Sequence, residues 1–468
     1  MIARLASLVL IVACFVCAAP AHAQTSDALA AAREKAARGE ALYAEERWAE
    51  AAETLEAAAR AMVAEQGAQV PESLALLILY IRALENAERF ADALMMASQM
   101  KQHAAAAQRF NTFLDLAEQE ARLQWVLGDP AAALETYQLI LPFAEGRPEA
   151  YADRIEGYRL LEAVMLVDLS RFAEAGPRLA TLRRSDVEPI ARAADAVYAK
   201  MLADQGDHDE ALQVYAGVTG AFEASQDTPA EVLAETLSSL GATLIEAGRP
   251  EEADALAVRV LSDLAAAGQG RSWAAGEALR LRAAAAQYAG RPDLVAASIS
   301  QSAEILSERL GPRHPQTLLV RADLAVVMAE TGDFEGAQAL AREVLTDASP
   351  GAETDGAAFA ALRATIAAAA LASGDARTAV MLFAASQDRF NAILGPAHPD
   401  TIAVRLQLAN ILLTPARPAP RDALGLLRDV TQRVGVETQG ERRRRALTGV
   451  PAPGYLHVEA AWAVANGG

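Results

Sequence analysis

Residues 314–350 read HPQTLLVRADLAVVMAETGDFEGAQALAREVLTDASP, and this stretch decides the fold. Pro315 stands where a helix begins, since its missing N–H would have no partner there anyway. Leu318, Leu324, Val327 and Met328 recur at spacings that leave one apolar face. Gly332 ends that helix as a residue that reaches positive φ. Asp333 follows it, placed to accept from the first free N–H groups of the next helix. Phe334, Ala337, Leu340, Ala341, Val344 and Leu345 form the facing stripe, with Ala337 small where the two helices cross closely. The product is a helical hairpin whose apolar side only a neighbouring hairpin buries.

The same hairpin recurs along the chain. The small residue that opens its second helix stands at Ala51, Ala93, Ala133, Ala175, Ala211, Ala253, Val295, Ala337, Ala379 and Ala423, at spacings of 42, 40, 42, 36, 42, 42, 42, 42 and 44. A glycine precedes it by five residues in six of the ten repeats, at Gly128, Gly206, Gly248, Gly290, Gly332 and Gly374. Asp129, Asp207 and Asp375 repeat the Gly-Asp junction, whereas Gly248-Arg249 and Gly290-Arg291 are followed by a proline. A period in this range means stacked supersecondary units, so the expected fold is an all-α solenoid of about ten hairpins. The alanine-rich composition agrees, because alanine has the highest helix propensity.

Gly39, Leu42, Trp48, Ala51 and Ala58 resemble the tetratricopeptide-repeat signature, with small residues inside both helices and an aromatic opening the second. Glu88-Arg89-Phe90-x-x-Ala93 repeats that junction. Two connectors, Leu310-Gly311-Pro312-Arg313-His314-Pro315-Gln316-Thr317 and Leu394-Gly395-Pro396-Ala397-His398-Pro399-Asp400-Thr401, lie 84 residues apart. They are similar to the kinesin-light-chain subtype of these repeats. The resemblance covers residues 28–434 and implies a right-handed superhelix whose concave face, lined by first helices, binds a protein or peptide. Kinesin-light-chain repeats carry paired asparagines in the middle of the first helix. Here those positions hold Ala322-Asp323, Leu406-Gln407 and Ser238-Ser239, so recognition through the asparagines does not carry over.

The ends of the chain read differently. Residues 1–4 are a short positive start, residues 5–18 an apolar run, and Ala21-His22-Ala23 a small-x-small cleavage signature before Gln24. This resembles a secretory signal peptide over residues 1–23, followed by a solenoid over 24–437 and a tail or cap over 438–468. The expected location is periplasmic or secreted after cleavage near Ala23. The alternative is a lipoprotein anchored at Cys14, since Ile11-Val12-Ala13-Cys14 resembles a lipoprotein box. Cys14 and Cys17 are the two cysteines of the chain, so a chain cleaved at Ala23 has no thiol chemistry. No later stretch has the 18 uninterrupted apolar residues expected of a transmembrane segment. The tail holds Arg442-Arg443-Arg444-Arg445 and then an apolar stretch over 456–464 that is placed to cap the array.

A net charge of −19 argues against nucleic acid as a partner, because phosphate binding needs basic patches. No Gly-x-Ser-x-Gly, phosphate loop or His-Glu-x-x-His is present, and the expectation is a non-enzymatic chain with no metal and no cofactor. His314 and His398 sit in the connectors, where they brace a turn more readily than they hold a metal. Function then falls to the surface of the first helices. In the last three repeats their groove phase holds Leu319, Ala322, Val326 and Ala329, then Ala361, Ala364, Ala368 and Leu371, then Ala403, Leu406, Asn410 and Leu413. The third repeat places Arg122 and Trp125 there, with Trp125 open to a second reading as a packing residue. Arg321, Arg363 and Arg405 share one phase, 42 residues apart. They are either a basic ladder beside an apolar trough or stems that cover apolar surface while their heads meet nearby acceptors. The function expected is a scaffold for a protein or peptide partner. The alternative is a sensor or regulatory array that controls an effector of protease or kinase type on another chain.

Overall fold

The computed structural model describes residues 25–68, 70–87, 89–106, 108–224, 230–348, 356–396, 398–414, 419–433, 456, 460, 461, 463 and 464. Residues 1–24 with Cys14 and Cys17, residues 415–418 and the arginine run 442–445 lie outside the described residues. Among the described residues there are twenty helices, which alternate as first and second members of ten repeats. They are α1 (Thr25–Ala44) and α2 (Trp48–Gln66); α3 (Pro71–Asn86) and α4 (Phe90–Ala106); α5 (Phe110–Val126) and α6 (Pro130–Glu145); α7 (Pro148–Asp168) and α8 (Phe172–Leu182); and α9 (Glu188–Gln205) and α10 (His208–Ala224). Then follow α11 (Ala230–Glu246) and α12 (Pro250–Ala266); α13 (Trp273–Tyr288) and α14 (Pro292–Leu310); α15 (Pro315–Glu330) and α16 (Phe334–Asp347); α17 (Ala357–Ala372) and α18 (Ala376–Ile393); and α19 (Pro399–Leu413) and α20 (Pro420–Arg433).

The chain forms two compact units, one of residues 1–126 with 135–140 and the other of residues 127–134 with 141–468. In the first, α1 packs on α2, α2 on α3, α3 on α4 and α4 on α5. Its core is continuous along that stack, with Leu55, Met62, Leu77, Tyr80, Leu84 and Met96 fully buried. In the second, the same succession runs from α7 to α20, and the apolar clusters follow the stack rather than one centre. Nearest-neighbour burial of this kind makes a helical-repeat solenoid.

The register is uniform. Every second helix begins three residues before its small residue, from Trp48 before Ala51 to Pro420 before Ala423, and all ten small residues are buried. The hairpins close tightly on the first helix as well. A Cβ on Gly39 would lie 2.6 Å from Leu55 Cδ2, and one on Gly276 would lie 2.7 Å from Leu306 Cδ2. Buried serines fasten two hairpins, Ser302 Oγ donating to the Gly276 carbonyl at 2.7 Å and Ser386 Oγ to the Ala360 carbonyl at 2.6 Å.

The turn between the two helices has one recurrent conformation. Gly332 has φ 91°, and the five other glycines of that phase are also left-handed. Glu46 and Ser170 occupy the same phase with φ 60° and 54°, so the turn imposes this conformation even where the sequence supplies a side chain. In seven of the repeats the next residue follows one of two chemistries. Asp129, Asp333 and Asp375 cap by accepting from the N–H three residues on, each at 3.0 Å. Arg47, Arg89, Arg171 and Arg249 instead hold the acidic side chain three residues on, as Arg47 holds Glu50 and Arg249 holds Glu252. Both place negative charge at the positive end of a helix.

Candidate peptide-binding surfaces

In the second unit the residues expected to line a trough lie on α15 and α17. Leu319 and Val326 on α15, with Ala361, Ala364, Ala368 and Leu371 on α17, are half-buried and border one apolar cluster. Ala322 and Ala329 lie beneath them, fully buried. The row stops at α19. Leu406 is only 6% exposed, packed with Ala423, Leu427 and Val430 of α20 and with Leu456 and Ala460 from the tail. This corrects its reading as a trough residue, because chain that follows it covers it. Asn410, one turn on, is half-buried.

The arginine ladder is corrected in the same way. Arg321 and Arg405 are each 7% exposed. Arg321 Nη1 donates to the Pro312 carbonyl at 3.1 Å and to Asp347 Oδ2 at 2.8 Å, and its Nη2 meets Glu343 at 2.7 Å. Arg405 Nη1 donates to the Pro396 carbonyl at 3.3 Å and its Nη2 to Asn391 Oδ1 at 2.9 Å. Each guanidinium thus ties the connector nine residues behind it to the second helix of a hairpin. Arg363, of the same phase, is half-buried and engaged. The connectors and the arginines, two separate features in the sequence, are one corner in space. His314 Nδ1 accepts from the Gln316 N–H at 3.3 Å, and His398 Nδ1 from the Asp400 N–H at 3.2 Å. Burial pushes the His314 imidazole down to about 4, which keeps it neutral and able to accept. His398 Nε2 also lies 3.3 Å from the Asp168 carbonyl of α7. Gly311 and Gly395 turn each corner with φ 85° and 88°.

The first unit holds a cavity of about 710 Å³ on its first helices. Tyr43 of α1, Ile78, Arg82 and Glu85 of α3, and Gln119 and Arg122 of α5 line it. Glu85 accepts from Gln119 at 3.1 Å and from Arg122, and Asn86 donates to the Tyr43 hydroxyl at 3.1 Å. Arg82 is exposed there, with no hydrogen bond or ion pair among the described residues. The structure therefore brings Arg122 to a cavity, whereas Trp125 is half-buried beside it in sequence and already engaged. Arg82 was legible but unread: it lies 40 residues before Arg122, the local repeat length. Tyr43 and Glu85 likewise share the phase of Trp125.

Among the described residues no group of His, Cys, Asp or Glu is arranged to hold a metal ion, and no helix is long and apolar enough to cross a membrane. The arrangement offers apolar contact, hydrogen bonds and charge along the first helices, which suits a protein surface or an extended peptide. Residues 233–264, spanning α11 and α12, match the family profile of the tetratricopeptide repeat. The crystal structure of BtubC (BKLC) from P. vanneervenii is similar to this chain at 17% identity, over 51% of this chain and 92% of that one, with a TM-score of 0.37. No curated protein matches the sequence. With ten hairpins in one register and a tetratricopeptide-repeat match over residues 233–264 within them, the chain is a helical-repeat solenoid similar to tetratricopeptide-type repeat proteins.

Proposed function

We propose that this solenoid is a protein-interaction scaffold, exported to the bacterial cell envelope, where it holds a peptide or partner protein against its first helices, without catalysis. The cavity between Tyr43, Arg82 and Arg122 carries the reading, since its mostly polar lining, with Asp115 and Glu118 beside Ile78 and Leu116, holds an arginine, Arg82, that makes no ion pair among the described residues. In the second unit Leu319 and Val326 offer apolar contact on α15 and Asn410 a polar one on α19, while Trp125 remains a candidate in the first. The Leu-Gly-Pro-x-His-Pro-x-Thr corners support placing the array in the kinesin-light-chain-like subtype. The leader over residues 1–23 supports export, with cleavage at Ala23 rather than acylation of Cys14.

Crosslinking of the mature chain in envelope extract, with and without Arg82→Glu and Arg122→Glu, tests both parts. The expected result is a mature N-terminus at Gln24 and a captured protein that the double variant releases. A diacylglyceryl group on Cys14 would replace export as a soluble chain with anchoring. Capture that is indifferent to both substitutions would remove the cavity as the site. A captured protease or kinase whose activity changes on binding would make the array regulatory.

A further inference from the structure

The trough phase continues into α13, where it changes character. Glu277 and Arg280 stand 42 residues before Leu319 and Ala322, so the apolar row gives way to charge. Glu277 is only 5% exposed. Its Oε2 accepts from Arg280 Nη2 at 2.8 Å and Nε at 3.2 Å, while its Oε1 is buried with no hydrogen-bond partner. The Arg280 side chain is 46% exposed, so its head reaches the surface beside a carboxylate that does not. Asp323 of α15 faces the same pair across the cleft between the two helices. It interacts electrostatically with both and makes no hydrogen bond or ion pair of its own among the described residues. α11 packs along α13 and α15 along α17, while α13 and α15 meet through side chains, with Trp273 Nε1 donating to Gln316 Oε1 at 2.7 Å at the start of both helices.

Two carboxylates therefore share one guanidinium, which serves one oxygen of one of them. Buried acceptors in native proteins are nearly always satisfied, and an exception asks for a donor from outside. Burial also pushes the Asp323 carboxyl up to about 6, with Arg280 opposing the shift and Glu277 adding to it. The group is thus kept where it weakens the fold, as groups retained for binding often are.

We infer that the cleft between α13 and α15 takes a basic side chain, lysine or arginine, from the partner protein, with Glu277 and Asp323 accepting its N–H donors. A divalent ion is a poorer occupant, because it requires more oxygen ligands than these two side chains supply. An ammonium or guanidinium group brings several donors at once and restores charge balance around Arg280. The chain's net charge of −19 steers such a cationic segment toward it. Leu319, in the same phase one repeat on, supplies the apolar wall for the neighbouring residue of the partner. This inference rests on the groove reading proposed above and gives the partner its chemistry.

The test uses the whole mature chain and a set of acetylated, amidated dodecapeptides of Ala, Leu and Ser that differ only at one central position: Lys, Arg, norleucine, Gln or Glu. Affinities are measured for wild type, Asp323→Asn, Glu277→Gln and Leu319→Ala, each checked for folding by its melting curve. The Lys and Arg peptides should bind about tenfold more tightly than the norleucine peptide, which a charge-assisted hydrogen bond readily supplies. Asp323→Asn should abolish that ratio, and Glu277→Gln should reduce it. Leu319→Ala should weaken every peptide alike and leave the ratio intact. Peptides that bind wild type without preferring Lys or Arg, or a preference that survives Asp323→Asn, would overturn the cationic site and leave the groove standing. No binding of any peptide would overturn both.

Discussion

Single side chains here do work that their spacing alone does not reveal. Arg321 and Arg405 share a phase that reads as a ladder, yet each is spent on a carbonyl of its own connector. Arg321→Gln leaves Asp347 and the Pro312 carbonyl short of a donor, and we expect a loss of about 1–3 kcal/mol in thermal or denaturant unfolding. An unchanged melting temperature would free Arg321 for a binding role. Asp323 works in the opposite direction. Its folded pKa of about 6 lies above the ordinary 3.8, so the folded chain holds that proton more tightly. The contribution is fully present below pH 3.8 and is lost as the pH rises through 6, above which the ionised carboxylate opposes folding. Asp323→Asn should therefore stabilise the protein by about 1–3 kcal/mol at pH 7.5 and by little near pH 4. Equal differences at both pH values would mean that the carboxyl is well solvated.

At the scale of the helix and its turn, the αL position between first and second helices is the sharpest constraint. A non-glycine residue pays roughly 1–2 kcal/mol in that conformation, partly offset by glycine's greater entropy when unfolded. Glu46→Gly and Ser170→Gly should each raise stability by about 0.5–1 kcal/mol, and Gly332→Ala should lower it by a similar amount. Calorimetry on the three variants checks the sign; the same sign for all three would show that the turn does not set it. Close helix crossing is the second constraint. Ala337 is buried at the fourth position of α16, and Ala337→Trp should overpack the crossing at a cost of about 1–3 kcal/mol in the melting profile.

Across the whole array, stability is a sum of hairpins and their interfaces, so damage should stay near its origin. Leu406, Ala423, Leu427, Val430, Leu456 and Ala460 make one cluster at the C-terminal end. Deleting residues 456–468, or introducing Leu406→Asp, should raise hydrogen exchange in α19 and α20 while α7 to α12 keep their protection. Exchange that rises evenly over the second unit would point to a cooperative core instead. Peptide affinity is expected to change in Leu406→Asp only through that local loss, since the side chain has no open face to offer.

The sequence by itself determined the hairpin, its length, its helix starts and its turn. These depend on neighbours a few residues away: a proline at the first position, a glycine at positive φ, an aspartate three residues before the N–H it caps. It also determined that the chain stacks, because the apolar stripe of each hairpin has no other means of burial. Tertiary structure decided where each side chain spends its charge and which surfaces stay open. Arg321 turned toward Pro312 because the connector folds back over the helix, and Leu406 was covered by residues far along the chain. Arg82 and Arg122 came to one cavity, and Glu277 came to face Asp323, through the stacking of successive hairpins. A repeat period specifies equivalent positions, but whether equivalent positions meet, pair or stay exposed depends on the rotation between neighbouring hairpins.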